Sequence, residues 1–320
     1  MLSYKPIPLE EIINAKNRIK NTIVRTPLVK LNFDNKDLEI YIKLENLQPV
    51  GSFKLRGAAN AMGLLNDNDI SKGVWTVSAG NMAQGLAWCA RERGIECTVI
   101  VPEQIPETKV ANITRLGAKY VKVPFVKFEE TFMTRSFPGM DGHFIHPFSD
   151  PAVMAGNGTI GLEILEDLPE VQSLIISYAG GGLSCGVASA VKAIKPNIKI
   201  YAAEVETGAP FAASLDAGKP KIVNFSPSFV DGIGGSMVFN EMFDLAKELL
   251  DGAFVSTLDE IACASKIIME RNRVIAEGAA AAAVAAAIAG KAGKGKTACI
   301  ISGGNIDSEK IQKILSGKTP

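Results

Sequence analysis

The sequence predicts an α/β protein built on parallel open sheets with helices on both faces. Two observations carry that expectation. From Val74 onward, short apolar runs of strand character take turns with stretches of helical spacing, an alternation that builds parallel sheets buried on both sides. Polar and glycine-rich loops recur just beyond such strands, at the edge where open α/β sheets hold their ligands.

The elements follow in order. Residues 8–23 place Leu9, Ile12, Ile13, Ile19 and Ile23 at helical spacing over a polar opposite face. Residues 39–45 alternate Ile40, Ile42 and Leu44, as a strand does. The turn Gln48-Pro49-Val50-Gly51 ends it, and Ser52 is expected to cap the helix that follows. Strands are expected at 74–77, 97–101 and 120–123, with helices at 84–93 and 106–116. A second series opens near Gly158, with helix 159–166, strand 174–178, helix 185–194 and strand 199–203. The alanine-rich run 279–289 fits a helix packed closely on a neighbour and is too short to span a bilayer. Residues 290–296, basic and glycine-rich, read as a surface turn before a last strand at 297–301.

A chain of 320 residues suggests about two domains and can bury a large core. Its 34 basic and 34 acidic side chains balance, so nothing predicts nucleic acid or an anionic membrane as partner. Cys89, Cys97, Cys185, Cys263 and Cys299 form no CxxC pair and read as reduced thiols. His143 and His146 are the sole histidines, little material for a zinc site or a Ser/His/Asp triad. The opening MLSYKPIPLEE lacks the charged-then-apolar pattern of a secretion signal. A soluble cytoplasmic enzyme or binding protein is expected.

Four short stretches could carry chemistry. Lys54 falls in the first turn of the helix after Ser52, where unpaired amides and the positive end of the dipole disfavour an ammonium. It is either an ordinary surface lysine or an amine consumed in a covalent bond, such as a Schiff base; these residues alone leave both open. The loop 78–84, Ser-Ala-Gly-Asn-Met-Ala-Gln, either holds a carboxylate at a helix N-terminus or is a simple capped turn. In Ala179-Gly180-Gly181-Gly182-Leu183, backbone amides can close around an anion with no Cβ in the way, or form a tight turn without ligand. A dinucleotide-binding unit fails on spacing, because Cys185 stands where its third glycine belongs. Ser302-Gly303-Gly304-Asn305 is a fourth polar stretch, or else a capping turn.

The segment TPL at 26–28, followed by KLENLQPVGSFKLRGA at 43–58, resembles the fold-type II pyridoxal-phosphate enzymes, the tryptophan synthase β-like group, and within them the threonine dehydratases and serine racemases. HPFSDPAVMAGNGTIGLEIL at 146–165 and VIAEGAAAAAV at 274–284 extend the match, with Asn157 replacing the more usual glutamine. The resemblance implies two α/β domains: a large cofactor-binding domain of residues 1–70 plus 149–320, and a small substrate-loop domain of 71–148 inserted into it. It implies pyridoxal 5'-phosphate as cofactor, carried by Lys54 beside the flat face of Phe53. The loop 179–183 becomes a phosphate cup, with Ala179 in place of its first glycine. Asn81 meets the cofactor's ring hydroxyl, Ser302 its pyridine nitrogen, and Glu277 matches an acidic residue nearby, a position otherwise usual for a helix cap. Ser78, Ala79, Gly80, Asn81 and Met82 line the substrate's carboxylate site. Arg135 matches the spacing of an arginine that meets this carboxylate in serine racemases, or is a solvated side chain.

Departures from the family pattern sharpen the expectation. Met82 replaces a histidine usual in these dehydratases and makes the pocket locally more apolar. Ala79 replaces the serine that reprotonates the opposite face in serine racemases; a methyl carries no proton, so racemisation should be weak while elimination survives. At the racemase divalent-cation site, Glu204, Gly208 and Pro210 would align, and proline cannot replace the acidic ligand, so no metal is expected. The expected activity is elimination of water from a β-hydroxy amino acid of the threonine or serine type, giving a 2-oxo acid and ammonia. Alternatives are a serine racemase, a dehydratase of hydroxyaspartate or phenylserine, a cysteine synthase-like β-replacement enzyme, or a non-catalytic nucleotide- or cofactor-binding protein. The expected partner is a small amino acid, and the expected assembly a homodimer or homotetramer. With no further domain after Pro320, the feedback control of longer threonine dehydratases should be absent.

Overall fold

The computed structural model describes residues 4–35 and 37–320. Its ten strands are β1 (Leu28–Lys30), β2 (Leu38–Lys43), β3 (Val74–Val77), β4 (Cys97–Pro102), β5 (Lys119–Val123), β6 (His143–Phe144), β7 (Ser173–Ser177), β8 (Lys199–Val205), β9 (Gly252–Ser256) and β10 (Gly295–Ile300). They form a six-stranded sheet in the order β1-β2-β10-β7-β8-β9 and a four-stranded sheet in the order β5-β4-β3-β6. Pairing is parallel throughout except between β1 and β2. Every residue of β3 and of β7 is buried, as continuous apolar runs in a doubly covered parallel sheet must be. The α/β expectation therefore holds.

The alanine run forms the helix Gly278–Ile288, whose small side chains let its backbone come within reach of β7. There the Ser177 hydroxyl donates to the Ala279 carbonyl at 2.6 Å. Among the described residues no helix is long and apolar enough to cross a membrane.

Four of the expected elements differ in the structure. The helix expected at 159–166 runs instead from Pro151 to Asp167, capped by Asp150, whose carboxylate accepts from the amides of Ala152 and Val153. Its glycines are contact points and not breaks: a Cβ on Gly156 would meet the Arg56 carbonyl at 2.4 Å, and one on Gly158 the Gly186 carbonyl at 2.8 Å. The helix expected at 185–194 begins at Gly182, inside the glycine loop, and that expected at 84–93 begins at Asn81. Ser52 does not cap the helix Lys54–Gly63. It bridges to Gly303 while the Phe53 amide donates to the Ser302 carbonyl at 2.9 Å, so the lysine loop is tied to the end of β10 instead.

Candidate active site

Lys54 and the polar loops meet in one cavity of about 320 Å³ beyond the C-terminal ends of β3, β7 and β10. Its wall includes Phe53, Lys54, Ser78, Ala79, Gly80, Asn81, Met82, Ala179, Gly180, Gly181, Gly182, Leu183, Glu277 and Ser302. Residues separated by most of the chain are thereby brought together. Arg135 is the exception. It lies outside the cavity wall, donating to Ser149 Oγ at 2.8 Å and pairing with Glu241 at 3.4 Å. Its guanidinium is thus engaged by Glu241 and Ser149, and by no residue of the cavity wall.

The lysine amine donates to the Pro147 carbonyl at 2.6 Å and lies 5.1 Å from the centroid of the Phe53 ring. Burial pushes its pKa down from 10.5 to about 8, against the opposing pull of Glu277. Desolvation therefore leaves a working fraction of neutral, nucleophilic amine near neutral pH.

On one side of the amine is the glycine cup. A Cβ on Gly180 would stand 2.2 Å from the Phe148 ring, and one on Gly182 2.6 Å from the Phe148 carbonyl. Gly181, at φ +83°, adopts the left-handed backbone that L side chains rarely take. Because the helix Gly182–Ile194 starts within this loop, its unpaired first-turn amides and the positive end of its dipole serve the cavity. Asn157 donates to the Gly182 carbonyl at 3.2 Å and braces the cup from below.

On the other side Asn81 is held by two partners. Its amide donates to Glu277 Oε1 at 3.0 Å, and its carbonyl accepts from Asn305 at 2.8 Å. Burial pushes the Glu277 carboxyl up to about 7, with the Asn81 bond opposing that rise. Glu277 stands before its helix without capping it; its side chain is spent on Asn81. Gly303 makes room, since a Cβ there would fall 2.7 Å from Glu277 Oε1.

Sequence reasoning missed Lys109 and Asp231, which line the cavity and pair at 3.0 Å across 122 residues. A pair so distant leaves no local signal. It also missed the helix Phe125–Thr134, whose Phe128 and Phe132 face the cavity; their i, i+4 spacing was the available cue. Glu204, at the end of β8, spends its carboxylate on the amides of Phe211 (2.9 Å) and Ala212 (2.7 Å), at the start of the helix Pro210–Ala217.

Residues 19–303 match the family described as pyridoxal-phosphate dependent enzyme. The chain belongs to that family. It is similar to the L-threonine ammonia-lyase of Thermotoga maritima, 39% identical over 97% of this chain and 78% of the relative. It is also similar to the catabolic L-threonine dehydratase of Escherichia coli, 38% identical over 97% of this chain and 96% of that one. Among solved structures, maize serine racemase superposes with a TM-score of 0.88 at 31% identity, covering 97% of both chains.

The residues present fit pyridoxal phosphate: a depressed lysine amine, a cup that a Cβ would fill, a hydroxyl at Ser302 and a fixed amide at Asn81. The amine's state is directly testable in the cofactor-free enzyme. Its rate of reaction with pyridoxal phosphate, followed by visible absorbance, should climb as pH rises through about 8, because only the neutral form attacks. A midpoint near the ordinary 10.5 would show the amine to be solvated and the cavity misread.

Proposed function

We infer that the enzyme is a dehydratase (ammonia-lyase) that removes water from threonine, serine or a related β-hydroxy amino acid and releases a 2-oxo acid and ammonia. The observation that carries this reading is the desolvated Lys54 amine, lodged in one cavity between the 179–183 cup and the 78–81 loop. The names of the two curated relatives, both acting on L-threonine, support it.

Pyridoxal phosphate, when bound, supplies the electron sink that makes an amino acid's α-proton removable. Lys54 Nζ would hold the cofactor, and its amine is placed to take that proton as general base. The cup residues Ala179, Gly180, Gly181, Gly182 and Leu183 bind phosphate through backbone amides. Ser78, Ala79, Gly80 and Asn81 orient the substrate carboxylate at the start of the helix Asn81–Glu92, and Met82 adds an apolar wall. Ser302 would offer the cofactor's ring nitrogen a neutral hydroxyl and no carboxylate, making the group a weaker electron sink suited to loss of a β-hydroxyl. Phe53 supplies a flat face beside the lysine, and Glu277 fixes Asn81. The Ala79 methyl cannot deliver a proton to the face opposite Lys54, so racemisation is minor.

The same reading makes residues 71–148, which contain the four-stranded sheet, a small domain inserted in a larger one, and the enzyme a cytoplasmic homodimer or homotetramer. Holoenzyme is to be offered L- and D-serine, L-threonine and 3-hydroxyaspartate, with 2-oxo acid release and the enantiomer ratio of remaining serine both scored. Release from threonine or serine with little enantiomer exchange is the expected outcome. Inertness across the panel would remove the dehydratase reading.

A further inference from the structure

We propose that His146, which lies outside the cavity wall, is a positioning residue: its imidazole fixes one turn that both aims the Lys54 amine and shapes the phosphate cup. The inference rests on the reading of the cavity as the cofactor site. The ring is buried, and its Nδ1 accepts from the Ser149 amide at 2.9 Å and from the Phe148 amide at 3.3 Å. Pro147, the intervening residue, has no N–H, so the imidazole meets each backbone donor from 147 to 149. What the turn presents in return faces the chemistry. The Pro147 carbonyl accepts from the Lys54 amine at 2.6 Å, in the free form that captures the cofactor. Phe148 is the surface on which the cup packs, so close to Gly180 and Gly182 that neither has room for a Cβ.

The turn is anchored at both ends and set in the middle by the ring. Ile145 is tied to β3, its amide donating to the Trp75 carbonyl at 2.9 Å and its carbonyl accepting from the Thr76 hydroxyl at 2.8 Å. At the far end Ser149 Oγ donates to Glu241 at 3.1 Å. Between these anchors the imidazole is the acceptor of the Phe148 and Ser149 amides. The ring is itself held between Phe132 and Phe148, at 4.9 and 4.6 Å between centroids. An accepting Nδ1 carries no proton, so the neutral ring keeps its proton on Nε2. A cationic ring would set an N–H against two others. Burial, joined by the charges of Arg135 and Lys54, pushes the imidazole down from 6.5 to about 3, so it stays an acceptor near neutral pH. Phenylalanine at this position would fill the aromatic space and strand both amides, whereas asparagine offers an oxygen in place of Nδ1.

His146→Phe and His146→Asn, both prepared free of cofactor, separate the acceptor from the ring. Attachment of pyridoxal phosphate to Lys54 is followed by visible absorbance, and the fold by circular dichroism. His146→Phe should attach the cofactor roughly 10- to 100-fold more slowly, because an amine misplaced by about 1 Å loses its line of attack. Pyridoxine 5'-phosphate, which cannot react with an amine and so reports the cup alone, should bind roughly 10-fold more weakly. His146→Asn should recover most of both losses. Attachment by His146→Phe at the rate of the unmodified enzyme would overturn the proposal. So would an asparagine variant as slow as the phenylalanine one, since ring packing and not the acceptor would then matter. Should His146→Phe fail to fold, the nitrogen-15 spectrum of the unmodified enzyme, which has two histidines, supplies the test. Nδ1 of His146 should appear as an unprotonated acceptor from about pH 5.5 to about pH 9, and a proton on Nδ1 or a titration in that range would overturn the proposal. Unmodified enzyme that attaches no cofactor at Lys54 would overturn the reading of the cavity and the proposal with it.

Discussion

Lys54→Ala is expected to abolish both the covalent attachment of pyridoxal phosphate and turnover. The visible absorbance of the lysine-bound cofactor should vanish, and reduction with borohydride should no longer fix label to the protein. Loss of a positioned base alone lowers rates by roughly 10²–10⁴-fold, and here the same side chain also carries the cofactor. The fold should survive, because the aliphatic stem contributes little beside Leu55, Ala58 and Met62, which are among the buried residues of that helix. In the unmodified enzyme, peptide mapping after reduction should place the adduct on Lys54. Label on any other amine would leave the cup and the asparagine turn without a reaction to serve.

Arg56→Ala should cost the most stability of any single change near the site. The guanidinium is fully buried and donates to Glu45 through Nε and Nη2 at 2.8 Å, and to Glu163 through Nη1 at 2.7 Å. Lys43 also reaches Glu163, at 2.6 Å. Two cations and two carboxylates thus balance inside the protein. With arginine gone Glu163 keeps Lys43, but Glu45 retains only neutral donors, Thr26 at 2.6 Å and Gln48 at 3.1 Å. Stranding a buried charge in this way costs about 3–5 kcal/mol. Burial alone would raise the Glu45 carboxyl, and the charge of Arg56 reverses this, holding it below the ordinary 4.5. Its contribution is therefore complete above pH 4.5 and lost as pH falls through the depressed value. The midpoint of denaturant unfolding, measured at neutral pH on the cofactor-free protein, is the readout; a loss under about 1 kcal/mol would show that the cluster relaxes or admits water. Arg56 lies two residues beyond Lys54, so the same lesion should also loosen cofactor binding.

The buried cluster shows where the sequence was readable and where it was not. Lys54 and Arg56 sit in a motif whose resemblance marks the cofactor lysine, yet nothing local announces that Arg56 would be enclosed by Glu45 and Glu163, 11 and 107 residues away. Gly156 and Gly158 misled the helix boundary for a related reason. A glycine reads as a break when alone, but as a close-approach surface once another backbone lies against it. Ser52 had the chemistry of a cap, and the pairing of its loop with Gly303 overrode that local preference.

By itself the sequence determined the α/β class, the order of most strands and helices, and the loops that could bind an anion or carry an imine. Those properties depend on side-chain period and glycine content within a few residues, which a chain displays without being folded. Only the tertiary structure decided that Glu277 serves Asn81 and not its own helix, that Arg135 pairs with Glu241, and that Phe128, Phe132 and Phe148 join the wall of the lysine cavity. Each of these turns on groups dozens to hundreds of residues apart, whose electrostatics and packing come into being when the sheets set them side by side.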